Sequence, residues 1–263
     1  MSDNIGGYRI IKIFADGAER DGMLEMYRNP MISGLTTNPT LMRKAGVKNY
    51  KEFALDILSE IKDKPVSFEV FSDEFDEMEM QAMEIASWGE NVYVKIPVTN
   101  TKGISSKRLI KRLSSEGVKI NVTAMMTFEQ VADILPVLNR DVSSYVSVFA
   151  GRIADAGFDP VPIMSSIVRL LENYPNVELL WASPREIYNI VQAEAIGCHI
   201  ITLTNSLLKK LPLLGKDLTD FSLDTVKMFY NDAEAAGYLI DYNMDAVLER
   251  ISYEKDKGEL TVD

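Results

Sequence analysis

The chain is poor in the residues that most metal and thiol chemistry needs. Among 263 residues it has one cysteine, Cys198, and one histidine, His199. A lone cysteine excludes an intramolecular disulfide and fits a reducing compartment. One His and one Cys also make a zinc site a poor expectation. The two are adjacent on a predicted strand, so they face opposite sides and cannot form a Cys–His dyad. His199 reads as a core histidine rather than a catalyst. Long apolar runs are missing: none approaches the roughly 20 residues of a transmembrane helix. The opening MSDNIGGYRI lacks the basic and apolar regions of a secretory signal, so a soluble cytoplasmic protein is expected. Positive charge is scarce, with 28 Lys and Arg against 39 Asp and Glu. The resulting net charge of −11 disfavours nucleic acid and membrane as partners. There is no GxGxxG after the first strand, no Walker A sequence and no G-x-S-x-G turn. A carboxylate-only magnesium site from Asp16 and Glu69 has no motif behind it.

What is there is a regular alternation. Short apolar runs recur at 11–16, 31–37, 65–70, 91–98, 119–125, 144–150, 177–183 and 198–204, with amphipathic stretches between them. Eight strands, each followed by a helix, predict a parallel sheet, and eight such units in about 250 residues match a closed (β/α)8 barrel. An open doubly wound sheet is the alternative, without its glycine fingerprint. No linker separates a second domain, so residues 1–263 are expected to form one barrel domain. Residues 205–263 are mainly C-terminal helices capping it, and the polar tail EKDKGELTVD is expected to fray. Lys102, Lys107, Arg108, Lys111 and Arg112 read as the solvated face of one helix, and so does the acidic run from Asp73 to Glu84. Within that run Met78, Met80 and Met83 read as packing residues.

The segment VYVKIPVT (92–99) departs from this pattern. Its β-branched residues describe a strand buried on both faces, yet Lys95 stands in the middle. Such a lysine either snorkels past the helices or points into the barrel. Barrel chemistry collects at the C-terminal ends of the strands. There the sequence offers Asp16, Thr36, Thr37, Asn38, Glu69, Lys95, Asn121, Thr123, Ser147, Arg152, Ser183 and Arg185. Asp16, Thr37 or Asn38 could each be a helix cap. Together these groups predict a buried polar network. Burial disfavours an ammonium ion, and a neutral amine attacks carbonyls. The imine so formed is an electron sink for making or breaking a neighbouring C–C bond, which needs no cofactor. Arginines on the last strands suit a phosphate.

The segments FADG (14–17), GLTTNPTL (34–41), FEV (68–70), VYVKIPVT (92–99), NVTAMMTFEQ (121–130), SVFAGRIADAG (147–157) and ASPR (182–185) resemble the transaldolase family. They match its short branch, which also contains fructose-6-phosphate aldolases. The resemblance covers nearly the whole barrel, with TTNPT, VKIP and NVTA as its most specific parts. It implies roles by position. Lys95 is similar to the Schiff-base lysine and Asp16 to the acid/base of C–C cleavage. Glu69 and Thr123 resemble the pair that holds a catalytic water. Asn38 and Asn121 resemble the residues that bind the dihydroxyacetone hydroxyls, with Thr36 and Ser147 lining the same pocket. Arg152, Ser183 and Arg185 resemble a phosphate clamp. It implies sugar phosphates as substrates, no metal, a homo-oligomer and a place in the pentose phosphate pathway.

Two positions bear on the reaction. The aldolase members carry Gln at Glu69 and Tyr at Phe149. A Tyr hydroxyl can position a water that releases dihydroxyacetone, and Phe cannot. The expectation is therefore transfer of a dihydroxyacetone unit from a ketose phosphate, such as fructose 6-phosphate or sedoheptulose 7-phosphate, to an aldose phosphate. The alternatives are an aldolase releasing dihydroxyacetone and a non-catalytic sugar-phosphate-binding barrel. The chain also departs from the family pattern. Pro184 stands between the two clamp residues, Trp181 precedes them and is expected to narrow the pocket, and Val148 replaces a common proline. A sulfonate would satisfy the same arginines.

Overall fold

The structure, a computed structural model, describes residues 11–256. The strands are β1 (Lys12–Asp16), β2 (Ile32–Thr36), β3 (Val66–Glu69), β4 (Val92–Pro97), β5 (Ile120–Met125), β6 (Ser144–Val148), β7 (Val177–Trp181) and β8 (Ile200–Thr204). Between them run the helices α1 (Arg20–Arg28), α2 (Pro39–Lys44), α3 (Tyr50–Glu60), α4 (Phe75–Ala86), α5 (Lys107–Ser115), α6 (Phe128–Ile134), α7 (Ala150–Asp155), α8 (Pro160–Leu171) and α9 (Tyr188–Ala195). After β8 come α10 (Asn205–Leu208), α11 (Leu218–Ala236) and α12 (Met244–Asp256). All eight strands are parallel, and β8 pairs with β1 to close the barrel. Each observed strand lies inside its predicted apolar run. Closure leaves no free sheet edge, and the helices cover the outer face, so both faces can be apolar.

Two apolar layers follow from the alternation of side chains along each strand. Outward residues such as Phe68, Val94, Ile96, Val122, Leu179 and Trp181 pack with the helices in the main core. The inward layer is Phe14, Tyr93, Tyr145, Leu180 and Ile200. Tyr93 and Tyr145 stack with centroids 4.0 Å apart, and Phe14 meets Tyr145 edge-on at 5.7 Å. Gly34 makes room for this layer: a Cβ there would lie 2.6 Å from the Phe14 ring. Nearer the strand N-termini, Lys12 pairs with Glu178 at 2.8 Å. This layer fills the barrel, so Asp16, Lys95, Ser147 and Thr202, two positions beyond Phe14, Tyr93, Tyr145 and Ile200, stand above a packed floor.

The helix faces agree with the charge pattern in part. Leu109, Ile110 and Leu113 of α5 are buried, each worth roughly 1.5–3 kcal/mol. Arg108, Lys111 and Arg112 lie on its exposed side, while Lys102 precedes the helix and pairs with Glu74. Of the three methionines in α4 only Met78 is core; Met80 and Met83 are exposed. Cys198 and His199 lie just before β8 rather than within it. His199 Nδ1 accepts the Leu179 N–H at 3.1 Å, far along the strand from the polar layer.

The chain divides into two compact units at Leu214/Gly215. The second holds α11 and α12. Asp217 caps α11 by accepting the N–H groups of Thr219 and Asp220, and Gly237 ends it with φ of 65°. Glu254 to Asp256, expected to fray, belong to α12; the rest of the predicted tail lies outside the described residues, as does the N-terminal MSDNIGGYRI.

Candidate functional site

The polar residues at the strand ends enclose a cavity of about 470 Å³. The residues that the family resemblance singles out for catalysis and binding line it: Asp16, Thr36, Asn38, Glu69, Lys95, Asn121, Thr123, Ser147, Phe149, Arg152, Ser183 and Arg185. Of the strand-end candidates Thr37 alone does not, its buried hydroxyl donating to the Ser67 carbonyl at 3.0 Å. Lys95 points into the barrel rather than snorkelling outward, and only 6% of it is exposed. Its register neighbour across β3 is Glu69, whose Oε2 lies 3.1 Å from Nζ. Nζ also donates to the Thr37 carbonyl at 2.7 Å. The buried Nζ is thus both paired with a carboxylate and hydrogen-bonded.

Asp16 anchors one hydrogen-bonded chain. Thr36 Oγ1 donates to it at 2.9 Å, and Asn38 Nδ2 at 3.4 Å. Thr36 thereby spends its hydrogen, so Thr202 donates in the 2.6 Å contact between the two hydroxyls. Asp16 is not a helix cap. Asn38 is: its Oδ1 accepts the Leu41 N–H at 3.0 Å while Pro39 opens α2, so the amide serves helix and cavity together. Burial pushes the Asp16 carboxyl above the ordinary aspartate value. The charge of Lys95 and the Thr36 bond oppose that shift, Glu69 adds to it, and Asn38 opposes it slightly. A second chain crosses the floor: Ser147 Oγ donates to Asn121 Oδ1 at 2.6 Å, and Asn121 Nδ2 to Ser67 Oγ at 3.1 Å. Thr123 Oγ1 is buried with no hydrogen-bond partner among the described residues. A buried hydroxyl without a partner costs about 1–3 kcal/mol; of the five such side chains among the described residues, Thr123 is the one that lines the cavity.

The opposite wall is cationic. Arg185 is gripped by Asp155, with Nε 2.8 Å from Oδ1 and a second bond from Nη2 to Oδ2, and its Nη1 donates to Ser183 Oγ at 3.0 Å. Arg152 lies 5.9 Å from the Phe149 ring centre. Ser183 has φ of 62°, and Ala124, also at the cavity, has the same value. They are the only non-glycine residues with positive φ among the described residues. Such backbone strain gathers where a site over-determines the chain.

The comparisons with known proteins meet this geometry. A family model described as transaldolase/fructose-6-phosphate aldolase matches residues 13–257. The chain belongs to the transaldolase/fructose-6-phosphate aldolase family. Relatives named probable transaldolase include one from Thermoanaerobacter sp. (strain X514), 34% identical over 218 residues, covering 82% of this chain and 95% of that protein. One from Thermoplasma volcanium is 35% identical over 224 residues, covering 83% and 96%. Among solved structures, a mutant flavocytochrome b2 with benzoylformate aligns at TM-score 0.51 and 10% identity, over 75% of this chain and 57% of that one. KGPDC from Streptococcus mutans aligns at TM-score 0.50 and 9% identity, over 75% and 89%. These likenesses show the barrel fold and nothing finer.

Within this member of the family some positions differ from expectation. Trp181 does not narrow the pocket: it is fully buried, faces outward and packs in the main core. Strand alternation makes Leu180 and Ala182 the cavity-facing neighbours instead. Thr202 and Lys44 also line the cavity and were not anticipated. Thr202 stands in inward register with Ile200, a signal the sequence carries. Lys44 ends a short helix, and nothing in its spacing announces the cavity. Among the described residues, no three His, Cys, Asp or Glu side chains gather as metal ligands would. No helix among them is long and apolar enough to cross a membrane.

Proposed function

We propose that this chain is a transaldolase that moves a dihydroxyacetone unit from a ketose phosphate, such as fructose 6-phosphate or sedoheptulose 7-phosphate, to an aldose phosphate. The observation that carries the reading is a buried lysine amine facing two carboxylates in a polar cavity with a cationic wall. In this mechanism Lys95 Nζ attacks the ketose C2 carbonyl, and water leaves as the imine forms. Asp16 takes the proton of the C4 hydroxyl, the C3–C4 bond breaks and the aldehyde departs. Its raised proton affinity suits it to that task at neutral pH. The enamine left on Lys95 attacks the acceptor aldehyde, and hydrolysis returns the free amine. Glu69 and Thr123 hold the water of the hydration steps, and the unpartnered Thr123 hydroxyl supports that role. Asn38 and Asn121 bind substrate hydroxyls, with Thr36 and Ser147 beside them. Ser183, Arg185 and Arg152 hold the phosphate.

Transfer is favoured over release of dihydroxyacetone because Phe149, at the cavity, offers no hydroxyl to position a water. We place the enzyme in the cytoplasm, acting on pentose-phosphate sugars as a homo-oligomer. The test is product analysis with fructose 6-phosphate, with and without an aldose phosphate acceptor. Turnover that requires the acceptor is expected; free dihydroxyacetone at a comparable rate without it contradicts transfer.

A further inference from the structure

β2 and β3 part before Glu69. Their register pairs Leu35 with Val66 and Thr36 with Ser67 and goes no further. The Leu35 N–H donates to Pro65 and the Thr37 N–H to Ser67. One more step of a parallel ladder would bring the Glu69 N–H to the Thr37 carbonyl. Tyr50, the first residue of α3, takes that N–H instead. Its hydroxyl accepts from Glu69 N at 2.7 Å and lies 3.1 Å from the Glu69 carbonyl, to which it donates. The Thr37 carbonyl is then left for Lys95 Nζ, which donates to it at 2.7 Å. One hydroxyl thus satisfies both peptide groups of the residue whose side chain pairs with Lys95.

We propose that Tyr50 is a positioning residue for the Lys95–Glu69 pair: its hydroxyl ends the β2–β3 ladder early and reserves the Thr37 carbonyl for Lys95 Nζ. Its catalytic consequence rests on the imine reading above. Tyr50 does not line the polar cavity; it stands in a neighbouring cleft of about 380 Å³ that has Glu69 in common with it. Its ring is held against Phe71 at 4.5 Å, Trp88 at 5.6 Å and Phe68 at 6.1 Å, so the hydroxyl is aimed by packing. Burial raises the phenol well above its ordinary value, and its bond to the Glu69 backbone opposes that shift. Without the hydroxyl, the Glu69 N–H has the Thr37 carbonyl as its natural acceptor and competes there with Lys95.

The test uses Tyr50→Phe, which deletes one oxygen and keeps the ring, with Trp88→Phe as a packing control that keeps the hydroxyl. Melting curves check that both fold. The first readout needs no sugar: trace acetylation of Lys95, mapped by peptide mass spectrometry. Tyr50→Phe should change the Lys95 rate relative to wild type and to Trp88→Phe, with surface lysines unaffected. The second is borohydride trapping with fructose 6-phosphate. Imine formation should slow by about tenfold to a hundredfold, as for a misplaced reacting group, with little change in donor KM. Wild-type acetylation of Lys95 in Tyr50→Phe, or an equal change in Trp88→Phe, overturns the proposal. If wild type traps no donor, the imine reading fails, and the acetylation readout still decides the role of Tyr50.

Discussion

Lys95 is held by a carboxylate and a peptide carbonyl, and the two have different consequences. Glu69 supplies the charge, and Thr37 fixes where Nζ points. Lys95→Ala is expected to fold, as judged by circular dichroism, and to lose transfer activity completely; an active folded variant contradicts the assigned chemistry. Asp16 allows a prediction with a sign. Its folded-state proton affinity is raised, so between the ordinary aspartate pKa and the folded value the native state holds a proton that the unfolded chain has lost. Stability therefore falls as pH rises through that window. Asp16→Asn should melt higher than wild type at neutral pH, with the difference vanishing below about pH 4, while cleavage is lost. A lower melting point at pH 7 would mean that Lys95, Thr36 and Asn38 more than offset the burial. At this scale the sequence was highly legible where a residue stands alone among apolar neighbours, as Lys95 does. It was silent for Tyr50, because a tyrosine at the start of a helix carries no mark of the peptide groups it meets.

At the scale of elements, the cationic wall depends on how α7 meets the loop after β7. A Cβ on Gly151 would stand 1.5 Å from the Ser183 carbonyl oxygen, so no side chain fits there without moving that loop. The Gly151 N–H reaches the Ala182 carbonyl at 3.4 Å across the same approach. Gly151→Ala should displace Ser183 and Arg185 and raise KM for phosphorylated donors by roughly tenfold or more, since an anion clamp is directional. It should affect an unphosphorylated acceptor far less, and parallel steady-state assays would show this. Gly34→Ala acts below the cavity, driving a methyl into the Phe14 ring, and should cost about 1–3 kcal/mol in urea unfolding. All eight strands were readable because both faces of a barrel strand are apolar. For the same reason hydrophobicity does not give the facing of a single residue, and Trp181, expected at the pocket, packs in the outer core instead. Alternation from Lys95 or Asp16 recovers the facing once one inward residue is known.

At the scale of the molecule, closure of the barrel brings residues from all eight strands, and from the segments that follow β2, β6 and β7, to one cavity, although they span positions 16 to 202. Order along the chain was legible; convergence required the closed topology. The unit from Gly215 onward is amphipathic in composition, yet α11 has no buried residue. If its apolar side chains dock on a neighbouring copy, sedimentation equilibrium gives a mass of several chains, and a monomer at micromolar concentration contradicts the proposed homo-oligomer. The central claim is the covalent one, and a single measurement addresses it. The protein is incubated with fructose 6-phosphate, reduced with borohydride and digested, and the modified peptide is identified by mass. The account predicts one adduct, carried on Lys95 and absent without reductant. No adduct with fructose 6-phosphate, sedoheptulose 7-phosphate or dihydroxyacetone, or an adduct on another lysine, would contradict it.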